Sequence, residues 1–257
     1  MKDSTSIGMN RTGSHMSPFD TDEMTDATAT PSAPRTPGDD SALTRIRSAY
    51  TADADPVGSV PVPGTVKGAV TTGVSMVTGN NPQLLIDKLG ERLAFERTGA
   101  RLYDALIAKL DGLQESASSM TREDLEQIRD DEARHFSIVK SAIESIGGDP
   151  TAQTPCADVT GVESMGLVQV VTDPRTSLAQ SLHAILIAEM TDNAGWELLI
   201  TLAEDNGRHA MVSDFTAALN EERSHLMRVR KWFEEAILGT SVTAGTIDEV
   251  GTPAPLH

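Results

Sequence analysis

The sequence predicts an all-α fold, a four-helix bundle made of two antiparallel helical hairpins joined by a long crossover, preceded by a long disordered tail. Three observations predict it. Four long segments between Pro82 and Gly239 repeat apolar residues at helical spacing. Capping residues and glycines bound those segments. No alternating strand pattern competes with them. The connections between the first and second segments, and between the third and fourth, are short enough to force antiparallel neighbours.

Taken in order, residues 1 to 80 are a polar tail rich in Pro, Thr, Ala and Ser, which cannot bury enough apolar surface to offset the entropy of ordering it. Within it, Val66, Val70, Val74 and Val77 recur at helical spacing among glycines and threonines, a pattern open to a docking segment or a linker. The first predicted helix follows Leu85, Leu89, Leu93, Glu96, Ala100, Tyr103, Ile107 and Leu110 along one face. Thr121 with Asp124 resembles a capping box, opening a second helix through Leu125, Ile128, Glu132, His135, Val139, Ala142 and Ile146, stopped by Gly147 and Gly148. After a connection of about twenty-five residues, Asp173 and Pro174 read as the start of a third helix, through Leu178, Leu182, Ile185, Glu189, Trp196, Leu199 and Ala203 to Asn206-Gly207. The fourth begins near His209, carries Phe215, Ala218, Glu222, His225, Val229, Trp232 and Ala236, and closes at Gly239. The folded domain is thus placed at residues 81 to 239, with residues 240 to 257 as a flexible C-terminal tail.

A formal net charge of -17 excludes nucleic acid as a partner, since phosphate contacts need clustered Lys and Arg. The basic start and apolar stretch of a secretory signal are absent, and so is any apolar run of about eighteen residues, so no membrane partner is expected and the protein is read as cytoplasmic. The lone Cys156 excludes a disulfide framework or a thiolate-rich metal site and is read as a loop residue without a chemical role.

Carboxylates and imidazoles interrupt the apolar seams, where an ionised Glu costs several kcal/mol unless it is paired. The first and third helices contribute one Glu each, Glu96 and Glu189, while the second and fourth contribute Glu-x-x-His, as Glu132 with His135 and Glu222 with His225. Residues three apart share a helix face, so each pair can present both groups to one ion. Counted from the hairpin turns, these groups lie at matching depths, roughly 17 to 21 Å in the first hairpin at the α-helical rise. Four carboxylates and two imidazoles then converge in one slab of the core, and two divalent cations would supply the four positive charges they lack.

These residues resemble the ferritin-like superfamily, including bacterioferritin, rubrerythrin and the carboxylate-bridged di-iron oxygenases, over about residues 82 to 239. The resemblance implies two iron ions, with manganese or a mixed pair as alternatives, held by Glu96, Glu132, His135, Glu189, Glu222 and His225. It implies that Tyr103 hydrogen-bonds a ligand carboxylate, although a tyrosine on this seam can also simply pack. Asp131-Glu132-Ala133-Arg134-His135 looks like the Asp-Glu-x-Arg-His motif of the oxygenases, so Asp131 would orient His225 and Glu221 would orient His135; helix-surface charges are the alternative for both. Asp192 is similar to an extra carboxylate of rubrerythrin and is read instead as a solvated residue. His183 and His209 read as ordinary helix residues, and Met190, Trp196 and Trp232 as packing.

The chain departs from rubrerythrin in having one cysteine, and from ferritin shells in its long tails and in lacking a fifth apolar seam. The expected activity is that of a di-iron oxidoreductase, a ferroxidase or peroxidase reacting with O2 or hydrogen peroxide and drawing on an electron donor outside this chain. A substrate oxygenase, or a metal-handling scaffold docked through the tail, stands as the alternative, and a homodimer stays open.

Overall fold

In the computed structural model the described residues are 40 to 61, 82 to 112 and 119 to 245, with a few isolated positions before residue 30. The segment containing Val66, Val70, Val74 and Val77 and the chain beyond residue 245 lie outside them. The described residues form six helices and no strand: α1 (Ser41–Asp53), α2 (Pro82–Gly112), α3 (Arg122–Ser145), α4 (Pro155–Thr172), α5 (Leu178–Asp205) and α6 (His209–Gly245). No helix among them is long and apolar enough to cross a membrane.

The chain divides into two compact units, Met1–Asp55 and Pro56–His257. In the first, α1 buries none of its residues, and Leu43, Ile46 and Tyr50 are exposed. A helix therefore stands inside the stretch read as disordered tail. Its Leu, Ile and Arg content supports local helix formation without supplying a core.

In the second unit, α2, α3, α6 and α5 pack in a cycle, each helix against the next and α5 back against α2; the diagonal pairs do not approach closely among the described residues. The capping box of Thr121 and Asp124 forms, with the Thr121 side chain accepting from Asp124 N and the Asp124 carboxylate accepting from Thr121 N. Gly147 and Gly207, at φ of 83° and 64°, turn the chain out of α3 and α5 through left-handed conformations that favour glycine.

Three boundaries differ from the sequence reading. The third long helix starts at Leu178 with Ser177 as its cap, paired with Gln180 in a second capping box, rather than at Asp173 and Pro174. Asp173 instead binds the Arg175 side chain and backbone N, closing a local turn that competes with helix initiation. The crossover is not bare connection: Thr154 caps α4, with Pro155 in its first turn, and α4 packs on α2 and α5. Its mixed Val, Gly and Thr sequence buries only Thr160, Ser164 and Val171, too sparse a pattern to read as a seam. Cys156 accordingly sits in the first turn of α4, its backbone N donating to Asp87 Oδ1 of α2 at 2.8 Å. At its other end, α6 runs past Gly239 to Gly245, because a glycine within a helix is tolerated when nothing reverses the chain.

The core comes in two parts. One gathers Leu102, Leu106, Leu125, Ile128, Leu182, Ile185, Val229 and Trp232; the other gathers Leu85, Leu89, Val139, Ile143, Trp196, Leu199, Phe215 and Leu219. Each helix of the cycle passes from one part to the other at the same level, and that level is polar.

Because α1 buries nothing, deleting residues 1 to 55 is expected to leave the thermal midpoint of the second unit within about 2 °C, no more than the shift of a 1 kcal/mol change in a domain of this size. Loss of cooperative unfolding in that deletion, followed by circular dichroism, would contradict the division.

Candidate metal centre

The polar level that separates the two apolar clusters contains all six residues marked by the sequence. Glu96 on α2, Glu132 and His135 on α3, Glu189 on α5, and Glu222 and His225 on α6 are each 2% exposed or less. Side-chain atoms of Glu132, Glu189, Glu222 and His225 lie within 4.8 Å of one another, as do those of Glu96, His135 and Glu222. Glu222 belongs to both groups and stands between the two imidazoles. Its Oε1 is 2.6 Å from His135 Nδ1, and its Oε2 is 3.3 Å from His225 Nδ1.

Both histidines turn Nδ1 inward and Nε2 outward. Nε2 of His135 is 2.8 Å from Glu221 Oε2, and Nε2 of His225 is 3.2 Å from Asp131 Oδ2. A carboxylate on the outer nitrogen fixes ring orientation and leaves the inner nitrogen's lone pair for a ligand role. Each support crosses between α3 and α6, since Glu221 serves a histidine of α3 and Asp131 one of α6. Arg134 joins the two outer carboxylates, with Nη1 2.8 Å from Asp131 Oδ1 and Nη2 2.7 Å from Glu221 Oε2. On the other side, Tyr103 donates its hydroxyl proton to Glu189 Oε1.

The site also uses residues that the sequence reading did not assign to it. Arg92, one turn before Glu96, is buried with Nε 3.0 Å from Glu96 Oε1 and Nη1 2.9 Å from Asp192 Oδ1. Asp192 is 2% exposed, which corrects its reading as a solvated residue: its helix face turns toward Arg92 rather than outward. Asn193 donates to the backbone oxygens of Glu189 (2.9 Å) and Glu222 (3.1 Å), fastening α5 to α6 at this level. Glu132 Oε2 lies in the space that a Cβ on Gly99 would need, and Arg92 Nη1 in the space that a Cβ on Gly195 would need. The available signal was a glycine three residues after Glu96 and another three after Asp192, inside helices where glycine costs about 1 kcal/mol.

Among the residues read as ordinary, exposed His183 stacks on Phe233, and His209 opens α6 exposed. Trp196 packs edge-on against His135 and Phe215, and Trp232 lies in the core. Met190 is 54% exposed and so does not pack as expected, because it falls on the outer face of α5.

Burial dominates the electrostatics. It pushes Glu96, Glu132 and Asp192 well above the usual carboxylate range, reinforced for Glu96 by Asp192 and for Glu132 by Glu222, while Arg92 works against it at Glu96 and Asp192. Burial and the Glu222 charge push Glu189 up to about 8. At Glu222 burial is outweighed by the two imidazoles, which hold it at about 2. Burial lowers His225, yet contact with Glu222 carries it up to about 9. Without an added cation, protons must therefore stabilise the layer. Oε2 of Glu132 and of Glu189 have no hydrogen-bond partner, an arrangement that costs free energy in a dry core and that a cation would relieve. Carboxylate and imidazole donors at this spacing can hold a metal ion.

No family model matches the chain, and neither a curated protein nor a solved structure matches it.

Two predictions follow from this geometry. Replacing Gly99 by Ala should displace the Glu132 carboxylate, lowering stability by about 1 to 3 kcal/mol and weakening metal binding; calorimetry with and without metal checks both, and an unchanged protein would contradict the close approach. The second concerns pH. Raised folded-state values mean that the folded protein binds more protons than the unfolded chain, so their stabilisation is lost as pH rises. For Glu189 the loss runs from about 4.5 to about 8, and for His225 from about 6.5 to about 9, whereas the depressed Glu222 loses its contribution only as pH falls toward about 2. The melting temperature of chelator-treated protein should therefore fall between pH 5 and pH 9, and a rise across that range would contradict the assignment.

Proposed function

We propose that the second unit is a ferritin-like four-helix bundle whose polar layer binds two iron ions and reacts with O2 or hydrogen peroxide, as a ferroxidase or peroxidase. The observation that carries this reading is the pairing of two ligand groups around one shared carboxylate: Glu132, Glu189, Glu222 and His225 on one side, and Glu96, His135 and Glu222 on the other. Carboxylates with imidazoles suit iron or manganese; the absence of thiolate ligands in the cluster disfavours an iron–sulfur assignment, and zinc, which favours four ligands, suits a bridged six-ligand site less well. Two adjacent iron ions would supply the electron pair that reduces peroxide to water, chemistry that carboxylate and imidazole side chains do not provide.

The chain's own residues would orient and insulate that chemistry. Asp131 and Glu221 hold the two imidazoles in one orientation, and Arg134 ties the pair together. Tyr103 fixes one oxygen of Glu189 and leaves Oε2 without a protein partner. The apolar clusters above and below exclude water from the layer. A cavity of about 540 Å³ lies between α2, the α3–α4 connection and α4, lined by Ile86, Leu93, Arg97 and Phe136 among others, but none of the six proposed ligands reaches it.

Anaerobic Fe(II) titration of the full chain is expected to give two ions per chain, and the double substitution Glu132→Ala/His135→Ala to abolish binding. Retention of both ions in that variant would contradict the ligand set. On mixing with hydrogen peroxide or O2, ferric absorption should develop faster than for free Fe(II). Glu189→Ala should slow it by at least about tenfold, and Tyr103→Phe should slow it less, since the phenol supports a ligand without being one. An undiminished rate in Glu189→Ala, measured by stopped flow, would leave only metal storage or handling.

A further inference from the structure

Asp192 poses a question that the six proposed ligands leave open. One of its oxygens lies within 4.8 Å of ligand atoms on Glu96, Glu132 and Glu222, close enough to join them on a metal. Yet the same carboxylate faces the Arg92 guanidinium at 2.9 Å, and Arg92 Nη1 also donates to the Asp192 backbone oxygen at 3.0 Å. The guanidinium is boxed in. Phe95 lies 4.4 Å beneath it, Trp196 flanks it at 6.0 Å, and the missing side chain of Gly195 leaves the space that Nη1 fills.

We propose that Arg92 is a positioning residue that withholds Asp192 from the metal while presenting Glu96 to it. The inference rests on the two-metal reading given above. Arg92 Nε engages Glu96 Oε1 at 3.0 Å, so Oε2, 3.8 Å from His135 Nδ1, is the oxygen turned toward the ligand group. Charge supports the same division of labour. Six carboxylates are buried here; Arg134 offsets Asp131, and of the other five, Glu96, Glu132, Glu189, Asp192 and Glu222, the fixed positive charge of Arg92 offsets one. Four negative charges remain, matching two divalent ions with neutral imidazoles. If Asp192 were a ligand as well, Arg92 would lie buried with its partner shared with a cation, an arrangement that low-dielectric surroundings disfavour.

The test is a double-substitution cycle on anaerobic Fe(II) affinity and stoichiometry, measured by chelator competition on the full chain. Asp192→Asn alone should keep two ions per chain. In the Arg92→Met background Asp192 is free to turn to the metal, so Asp192→Asn should there weaken binding by at least about tenfold more than in the wild type, the scale of losing a metal-linked carboxylate. If Arg92→Met does not fold, Gly195→Ala takes its place, since it crowds the guanidinium without altering any charge. A drop to one ion in Asp192→Asn would make Asp192 a native ligand and overturn the proposal. Equal effects of Asp192→Asn in the two backgrounds would show that Arg92 does not restrain it and would also overturn it. Wild-type protein that binds no iron would instead remove the metal centre itself, and this inference with it.

Discussion

Six carboxylates buried in one layer of a helical core, Glu96, Asp131, Glu132, Glu189, Asp192 and Glu222, set the terms for everything around them. Each would cost several kcal/mol if left charged and unpaired, far more than any hydrogen bond nearby returns. The layer interrupts two apolar clusters that could otherwise merge into one, and every helix of the cycle places its acidic residue at that level. Helix register is therefore constrained twice, by the seams above and below and by the need to bring opposite charges to the same depth. A slip of one turn, about 5.4 Å, would bury carboxylates against leucine.

The surroundings of the layer answer that constraint with charge and with space. Arg92 is the one buried Arg or Lys among the described residues, set between Glu96 and Asp192. Arg134, half exposed, ties together the carboxylates that hold the two histidines. Asn193 binds two backbone oxygens across α5 and α6, so the helices that carry Glu189 and Glu222 keep a fixed spacing. Gly99 and Gly195 remove Cβ atoms where a carboxylate and a guanidinium must pass close to a helix backbone. Arg134 apart, each of these residues weakens local helix propensity or adds a desolvated polar group, so their concentration at one level indicates that the layer, not the helices, is what they serve.

Much of this was legible in the sequence because two periodicities coincide. The 3.6-residue repeat of Leu85, Leu89, Leu93 and Glu96 places an acid on a buried face, and Glu132 with His135 repeats that placement with an imidazole one turn on. The long helices and the convergence of the six groups follow from such spacing. Asp192 escaped because burial of an acid is invisible until its partner is known, and Arg92 lies a hundred positions away. The start of α5 escaped because Asp173-Pro174 and Ser177 with Gln180 are rival signals, and only the second leaves Lys109 free to bind the Asp173 and Thr176 backbone oxygens. Helix α4 escaped because it buries few side chains, and α1 because a helix that buries none has no seam to read.

The account stands on the claim that metal cations, two per chain, neutralise the buried layer. Anomalous diffraction at the iron edge, from crystals grown anaerobically with Fe(II), tests it most directly. The expected map has two peaks, one among Glu132, Glu189, Glu222 and His225 and the other among Glu96, His135 and Glu222. A layer without either peak, its carboxylates and imidazoles paired only with one another through protons, would contradict it.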